Sequence, residues 1–282
     1  MALTLSAELQ RAFGSAADSV LFETGEGRRW SYREVDRLAG RIARRLAEAG
    51  AAPGERVVVQ VDKSVAAVAT YLACVRTGAA YVPLNPAYTP TEVASFVDDS
   101  DPVVVVCDPS RVGEHRIPVL SLDADGSGSL LDGLGAGPEL PWVETDPESV
   151  AAMLNTSGTT GRSKGAMLSH RALLSNASTL CDQWGISADD VLVHALPIFH
   201  THGLFVALHT LMLRGGTVRY LRRFDVDAVC AALAGATMMM GVPTYYMRLM
   251  SSEAFDPRTT DEMRLFVCLL YTSDAADDYF WV

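Results

Sequence analysis

Residues 154–170 read Leu-Asn-Thr-Ser-Gly-Thr-Thr-Gly-Arg-Ser-Lys-Gly-Ala-Met-Leu-Ser-His. The glycines permit close backbone approach, and the hydroxyl and amide groups can form a concavity that binds an anion. Lys164 adds a positive charge that can lie over a phosphate chain. The stretch is therefore predicted to be a phosphate-binding loop. Its candidate phosphate ligands are Thr156, Ser157, Gly158, Thr159, Thr160, Gly161 and Lys164.

Two other interpretations of this stretch are weaker. The Walker A pattern cannot be placed on it, because the required spacing of glycines before the lysine is missing. A flexible Gly/Ser/Thr linker is the simpler alternative. However, an apolar run, Ala166–Leu168, follows the loop at once and is followed by a helix start at Ser169. That order favours a structured phosphate-binding loop over a flexible linker.

Composition and charge restrict the class of protein. The chain has 282 residues, which fits one large or two medium domains. Its formal net charge of −11 argues against nucleic acid or an anionic membrane as a partner, since both require a basic surface. The five cysteines form no C-x-x-C pair and are predicted to be free thiols. With no leader-like N-terminus and no apolar run of membrane-spanning length, a soluble cytoplasmic protein is expected.

Helical and strand patterns alternate through the first half of the chain. They comprise a helix that opens with the capping box Ser31–Glu34, a strand at Arg56–Val61, a helix ending at Gly78, a helix capped by Thr89 and a strand at Val103–Val106. Such alternation predicts an α/β fold with a parallel sheet. The arginine-rich face of the first of these helices is expected to be solvated.

The best internal boundary is the stretch 124–141, which is rich in Gly, Ser, Asp and Pro and has no periodicity. We therefore expect an α/β subdomain at 1–141 and a second at 142–267 that carries the phosphate loop. In the second, Ala151–Asn155 is predicted to be a strand that feeds the loop, and Ser169 caps a helix through about Trp184. A strand, a phosphate turn and a helix in succession is where an open α/β sheet binds a nucleotide.

A second group of candidate residues lies after a predicted strand near residue 191. His194, His200 and His202 suggest a metal site, but no cysteine or carboxylate ligand lies nearby in sequence. For His194 and His209 the simpler interpretation is a buried core histidine. His200 follows Pro197-Ile198-Phe199 at a junction between elements, where functional sites concentrate. Downstream, a Met-rich strand at 236–241 is expected to fill the core, and Gly241 could allow close approach to a ligand.

The decapeptide Thr156–Gly165 resembles the signature loop of the adenylate-forming superfamily, which includes acyl-CoA synthetases, luciferases and peptide-synthetase adenylation domains. The segments 62–64 and 76–86 resemble the first subdomain of acyl-CoA synthetases. The resemblance implies the N-terminal portion of that fold, with mostly parallel sheets flanked by helices in two subdomains. It also implies an ATP-dependent, AMP-forming acid–thiol ligase. A carboxylate attacks the α-phosphorus of ATP, and coenzyme A then displaces AMP.

The same resemblance implies roles for individual residues. The loop holds the β- and γ-phosphates of ATP, with Thr160 beside the magnesium ion and Lys164 as a catalytic candidate. The aromatic–histidine motif that ends at His200 sits beside the acyl pocket and the adenylate, so His200 is both a catalytic and a substrate-binding candidate.

The stretches 194–207 and 241–249 most resemble malonyl-CoA synthetases. Malonate keeps a second carboxylate after activation, so its pocket requires a fixed cation. Arg248 is the candidate, because guanidinium binds a carboxylate in bidentate fashion. Alternatively, Arg248 lies on the solvated face of its helix. A related ligase for a fatty, aryl or amino acid, and a noncatalytic nucleotide-binding fragment, remain as alternative functions.

The resemblance stops at about Val267. The sequence of 268–282 does not match the family, and we interpret it as a non-native tail on a truncated gene. The family's Tyr-Gly-x-Thr-Glu segment, its ribose-binding aspartate and its C-terminal lysine are not found in the chain. We therefore expect these 282 residues alone to have little or no ligase activity.

Overall fold

The computed structural model describes residues 4–113, 117–135, 137–156 and 164–268, and for 155, 156 and 164 it describes the backbone alone. Within these ranges the predicted α/β fold is confirmed, with two six-stranded sheets flanked by helices. The strands are β1 (Val20–Thr24), β2 (Arg29–Ser31), β3 (Arg56–Gln60), β4 (Ala80–Pro83), β5 (Val104–Cys107), β6 (Val119–Ser121), β7 (Val150–Thr156), β8 (Lys164–Ser169), β9 (Val191–His194), β10 (Thr217–Tyr220), β11 (Met238–Gly241) and β12 (Leu265–Cys268).

The helices pack around these sheets. They are α1 (Leu5–Ser15), α2 (Tyr32–Glu48), α3 (Val65–Thr77), α4 (Pro90–Ser100), α5 (His170–Gln183), α6 (His209–Arg214), α7 (Val226–Leu233) and α8 (Pro243–Met250). A π-helical segment, His202–Leu208, leads directly into α6. In the part of the chain that the structure describes, none of the helices has the length and apolar character to cross a membrane.

The structure divides into two compact units. The first combines the described parts of 1–14 and 33–176, and the second combines those of 15–32 and 177–282. This division differs from the expected one at 141/142. Strand β7 pairs with β4, which keeps the phosphate-loop hairpin in the first unit. Strand β1 pairs with β10, and Phe22 lies opposite Val218, which brings an N-terminal hairpin into the second unit.

The sheet of the first unit has the order β6-β5-β3-β4-β7-β8. Its pairs are parallel except for β7 and β8, which form an antiparallel hairpin. Helix α3 lies entirely in the interior of this unit, with all of its side chains buried. It ends at Gly78, whose φ of 77° is the left-handed conformation that favours glycine. The predicted Thr89 capping box is also present, since Glu92 accepts from the Thr89 backbone N–H at 2.7 Å.

The predicted succession of strand, phosphate turn and helix is wrong in one respect. Residues 164–169 form a strand, so the loop joins two antiparallel strands instead of opening a helix. The apolar run at 166–168 is too short for its periodicity to distinguish a strand from a helix. Its pairing with β7 decides the conformation. The predicted strand before the loop and the predicted helix after Ser169 are both confirmed. The Ser169 hydroxyl accepts from the Ala172 N–H at 3.2 Å at the start of α5.

The arginine-rich face of α2 is not simply solvated, as the sequence pattern had suggested. Arg45 donates to the backbone carbonyls of Ser129 at 3.3 Å and Asp132 at 2.6 Å. On the neighbouring α3, the buried Arg76 donates to the Leu140 carbonyl and pairs with Asp36 at 2.8 Å. These guanidinium groups hold Ser129, Asp132 and Leu140 of the Gly/Ser-rich segment against α2 and α3.

The sheet of the second unit has the order β12-β11-β9-β10-β1-β2, with only β1 and β2 antiparallel. Met238, Met239 and Met240 are fully buried, which confirms the expected core role of the Met-rich strand. The expected strand before Val267 is β12, which reaches Cys268. The non-native tail proposed from the sequence lies, from residue 269 onward, outside the described residues.

An ion pair between the buried Asp190 carboxylate and the exposed Arg264 links the beginning of β9 to the beginnings of β11 and β12. The Asp190 carboxylate is bound by Arg264 through Nε at 2.7 Å and through a second nitrogen at 2.5 Å, and it accepts from the Thr237 hydroxyl at 2.7 Å. Burial acts to raise the pKa of Asp190, but these hydrogen bonds outweigh burial and hold the pKa below its usual value.

Candidate active site

The phosphate loop is anchored by the hairpin of β7 and β8. Asn155 lies opposite Gly165, and Thr156 lies opposite Lys164, so the two ends of the loop are adjacent. Ser157, Gly158, Thr159, Thr160 and Gly161 lie outside the described residues, as do the side chains of Thr156 and Lys164. Their proposed contacts with phosphate and magnesium stay predictions.

The position of this hairpin in its sheet agrees with a binding role. Strand β7 runs parallel to β4, with Tyr81 opposite Ala152. The loop follows Thr156, so it leaves the sheet at the carboxyl end of a parallel strand. Ligands of open α/β sheets bind outside this edge.

In the second unit, three neighbouring parallel strands also end where candidate residues begin. His194 ends β9 and lies opposite both Tyr220 of β10 and Met240 of β11. The segments that carry His200, Phe224 and Arg248 follow these three strands and therefore leave from the same edge of the sheet. The structure thus brings the segments of the two predicted acyl-site residues, His200 and Arg248, to one edge of the sheet, together with Phe224, which the sequence analysis did not single out.

His200 lies between the end of β9 and the π-helical segment, at the junction expected from the sequence. Its ring is half-buried and lies 4.4 Å from the ring of Phe199, centroid to centroid. Burial lowers the pKa of His200 to about 4, so the imidazole is neutral at physiological pH. A neutral ring can donate one hydrogen bond and accept another, which suits contact with a polar acyl group without adding charge.

The other histidines of this region differ in role. His194 and His209 are fully buried, as the core interpretation expected. His202 begins the π-helical segment, and among the described residues neither of its ring nitrogens has a hydrogen-bond partner. Burial lowers its pKa to about 4. The sequence pattern had suggested His202 only as a metal ligand, and no cluster of metal-ligating side chains occurs within the described ranges.

The π-helical turn was not predicted from the sequence. Such turns are rare and often occur at functional sites, because the wider turn redirects side chains. The signal that could have indicated it is Gly203. A Cβ at this position would lie 2.0 Å from the carbonyl oxygen of Pro197, so the helix begins in direct contact with the preceding loop.

Arg248 lies on the exposed face of α8, as the alternative interpretation had it. Its guanidinium carbon lies 5.0 Å from the ring centroid of Phe224, which in turn stacks on Tyr245 at 4.0 Å and 17°. Within the described part of the chain no carboxylate pairs with Arg248. The structure therefore gives the guanidinium a fixed aromatic support, and its binding of a substrate carboxylate stays a prediction.

The close approach expected at Gly241 is present, but a neighbouring helix makes it. A Cβ at Gly241 would lie 3.2 Å from ring atoms of Tyr246 and 3.4 Å from Tyr245. The Tyr246 hydroxyl donates to the carbonyls of Val267 at 2.6 Å and Met239 at 3.2 Å. This tyrosine therefore ties α8 to β11 and β12.

Comparison with known proteins gives consistent matches. The sequence profile of a family described as AMP-binding enzyme matches residues 9–275. The chain is 31% identical over 261 residues to 4-coumarate–CoA ligase 5 of Oryza sativa subsp. japonica, a match that covers 88% of the chain and 48% of that protein. It is 32% identical over 247 residues to feruloyl-CoA synthase of Amycolatopsis sp, a match that covers 84% of the chain and 48% of that protein. The chain spans about half the length of the curated relatives it matches.

A solved structure is similar over most of the chain. The crystal structure of ATP-bound MatB from Rhodopseudomonas palustris superimposes with a TM-score of 0.87 at 44% identity. The match covers 94% of this chain and 55% of that one.

Proposed function

The chain belongs to the AMP-binding enzyme family, and on this premise we propose that it forms the nucleotide-binding part of an ATP-dependent, AMP-forming acid–CoA ligase that activates malonate. The single observation that carries the proposal is the phosphate-loop sequence on a hairpin whose ends, Thr156 and Lys164, are paired at the carboxyl edge of a parallel sheet. The ATP bound to MatB at 44% identity supports ATP as the nucleotide.

The chemistry divides between the two groups of residues. The loop hydroxyls, amides and Lys164 bind the β- and γ-phosphates and stabilise the charge that develops on pyrophosphate as it leaves. Magnesium fits the Thr160 hydroxyl and the phosphate oxygens, because it prefers oxygen ligands; when bound, it neutralises phosphate charge. The neutral His200 ring contacts the acyl phosphate centre, and coenzyme A is the second substrate.

Malonate is the proposed acid because of the resemblance around His194–Ala207 and the exposed guanidinium of Arg248. Carboxylate binding to a guanidinium is strong when the group is fixed in orientation. The Phe224 ring at 5.0 Å supplies that fixation, and in the described structure the guanidinium has no competing carboxylate. The five free cysteines agree with a reducing compartment, so we place the protein in the cytoplasm.

The phosphate loop can be tested directly. In the whole protein, Thr160→Ala and Lys164→Ala should each reduce malonate-dependent ATP–pyrophosphate exchange by about 100-fold, since each removes a donor from the developing charge. Arg171→Ala is the matched control: it removes an exposed cation that pairs with Glu148 near the opposite end of the hairpin. Exchange that survives both loop substitutions would show that the loop does not bind ATP.

The acid can be tested at Arg248. Arg248→Ala should lower kcat/KM for malonate by about 10- to 100-fold, the range for a lost charged hydrogen bond, and leave kcat/KM for propionate within about 2-fold. Arg258→Ala, which removes an exposed guanidinium paired only with Asp256 in the described structure, should change neither value. Equal use of malonate by the wild type and Arg248→Ala would exclude the clamp.

A second candidate function keeps the chemistry and changes the acid. Relatives named 4-coumarate–CoA ligase and feruloyl-CoA synthase favour an aryl acid. Pyrophosphate exchange with 4-coumarate exceeding that with malonate would support this alternative. ATP binding without pyrophosphate release for any acid would instead indicate a noncatalytic nucleotide-binding protein.

A further inference from the structure

One hydrogen bond closes the segment that carries Phe199 and His200. His194, the last residue of β9, and Gly203, near the start of the π-helical segment, lie on either side of it. The Nε2 atom of His194 lies 2.9 Å from the carbonyl oxygen of Gly203. The bond spans the junction between the strand and the helix, so it fixes the distance between the two ends of the intervening loop.

The His194 ring is held firmly on its own side of this bond. The residue is fully buried, and its strand pairs with β10 on one side and β11 on the other. The ring stacks on Tyr220 with centroids 5.6 Å apart and planes 19° apart. A ring fixed by two strands and a stacking partner can serve as a rigid attachment point.

The bond also fixes the tautomer of His194. A backbone carbonyl oxygen only accepts, so Nε2 must carry the proton. The loop makes further contacts where it meets the helix. Gly203 is packed against the Pro197 carbonyl, and the Leu204 N–H donates to the His200 carbonyl at 3.2 Å. Loss of the His194 bond would release the helix start and, with it, the segment from Pro197 to His200.

We propose that His194 is a positioning residue for acyl-adenylate formation, acting through the Gly203 carbonyl to hold Phe199 and His200 in place. The inference rests on the proposed function, because it assigns His194 a role in that reaction. It goes beyond the expected role of His194 as a core histidine. Positioning matters for rate because misplacement of a reacting group by about 1 Å can cost 100-fold.

The test compares replacements of His194 in the whole protein. His194→Phe keeps a ring for stacking on Tyr220 but removes the donor, and should lower kcat for malonate-dependent pyrophosphate exchange by about 10- to 100-fold. The KM for ATP should stay within about 2-fold, because the loop residues that bind phosphate are unchanged. His194→Gln places an amide donor near the Nε2 position and should recover kcat to within about 5-fold of the wild type.

His209→Gln is the matched control, since His209 is also fully buried but lies beyond the π-helical turn. It should lower stability with little change in kcat. Equal loss of kcat in His209→Gln and His194→Phe would mean a general structural effect and would overturn the proposal, as would a folded His194→Phe with unchanged kcat. If His194→Phe does not fold, His194→Asn, whose shorter amide does not reach Gly203, replaces it with the same expected loss.

A second measurement does not depend on activity. Nitrogen-15 NMR of the His194 ring should show a proton on Nε2, and an Nε2 without a proton would contradict the hydrogen bond to Gly203. A wild-type protein that exchanges no pyrophosphate with any acid would defeat the proposed function and the catalytic role together. The NMR measurement would still show whether Nε2 of His194 carries the proton that the bond to Gly203 requires. Failure of the proposed function can therefore be distinguished from failure of the positioning role.

Discussion

Gly203→Ala is expected to destabilise the second unit by more than about 4 kcal/mol, the exceptional range reserved for a change that the surroundings cannot absorb. The added Cβ would lie 2.0 Å from the carbonyl oxygen of Pro197 and 2.9 Å from its carbonyl carbon. Both atoms belong to the backbone, so no side-chain rotation relieves the overlap. The helix start must move away from the loop, which also breaks the hydrogen bond from His194.

Urea unfolding monitored by circular dichroism, with the wild type measured beside it, would give the loss of stability. Gly25→Ala is the matched control in the same unit, because a Cβ there meets nothing within 4 Å. Its free energy of unfolding should change by no more than about 0.5 kcal/mol. A Gly203→Ala protein as stable as this control would show that the π-helical segment does not pack against Pro197 as described.

Acidification from pH 7.5 to 5 should lower the free energy of unfolding by several kcal/mol. Burial lowers the pKa values of His170, His200 and His202 to about 4 and that of His209 to about 3. The unfolded chain titrates near 6.5, so below this pH it binds more protons than the folded chain. The stabilisation is complete above pH 6.5 and is lost as the pH falls towards 4. Each histidine whose pKa is about 4 in the folded chain lowers the free energy of unfolding by about 2 kcal/mol at pH 5.

Unfolding in urea at several pH values would measure the effect, and removing one titrating ring would identify its source. His202→Gln should flatten the dependence between pH 6.5 and 5, because its ring then contributes no proton uptake on unfolding. The titration of Asp190 does not overlap the range from pH 6.5 to 5. Its pKa is held below the usual carboxyl range, so its contribution is lost only at lower pH. A free energy of unfolding that is constant from pH 7.5 to 5 would be incompatible with buried, neutral histidines.

Local patterns predicted much of the fold because they act over a few residues. The Thr89 capping box and the buried Met-rich strand each depend on neighbours close in sequence. The hydrogen bonds of a cap and the period of an apolar stripe are set within one or two turns. These elements therefore agree with the structure, as does the buried state of His194 and His209.

Interactions between distant residues could not be predicted in the same way. Nothing local to 164–169 indicated that it would pair with β7, and nothing in the N-terminal hairpin indicated that Phe22 would lie opposite Val218. The arginine-rich face of α2 looked solvated, but Arg45 on this helix donates to the backbone carbonyls of Ser129 and Asp132, about 85 residues along the chain. Pairing partners depend on which surfaces meet, and a sequence pattern contains that information only indirectly.

The sequence by itself determined the alternation of helices and strands and the Gly- and hydroxyl-rich loop that marks the family, because backbone propensity and short motifs are local chemistry. Only the tertiary structure decided that the loop closes a hairpin, that an aromatic ring supports Arg248, and that His194 reaches Gly203. Each of these depends on a contact or hydrogen bond between groups that the fold brings within a few ångströms.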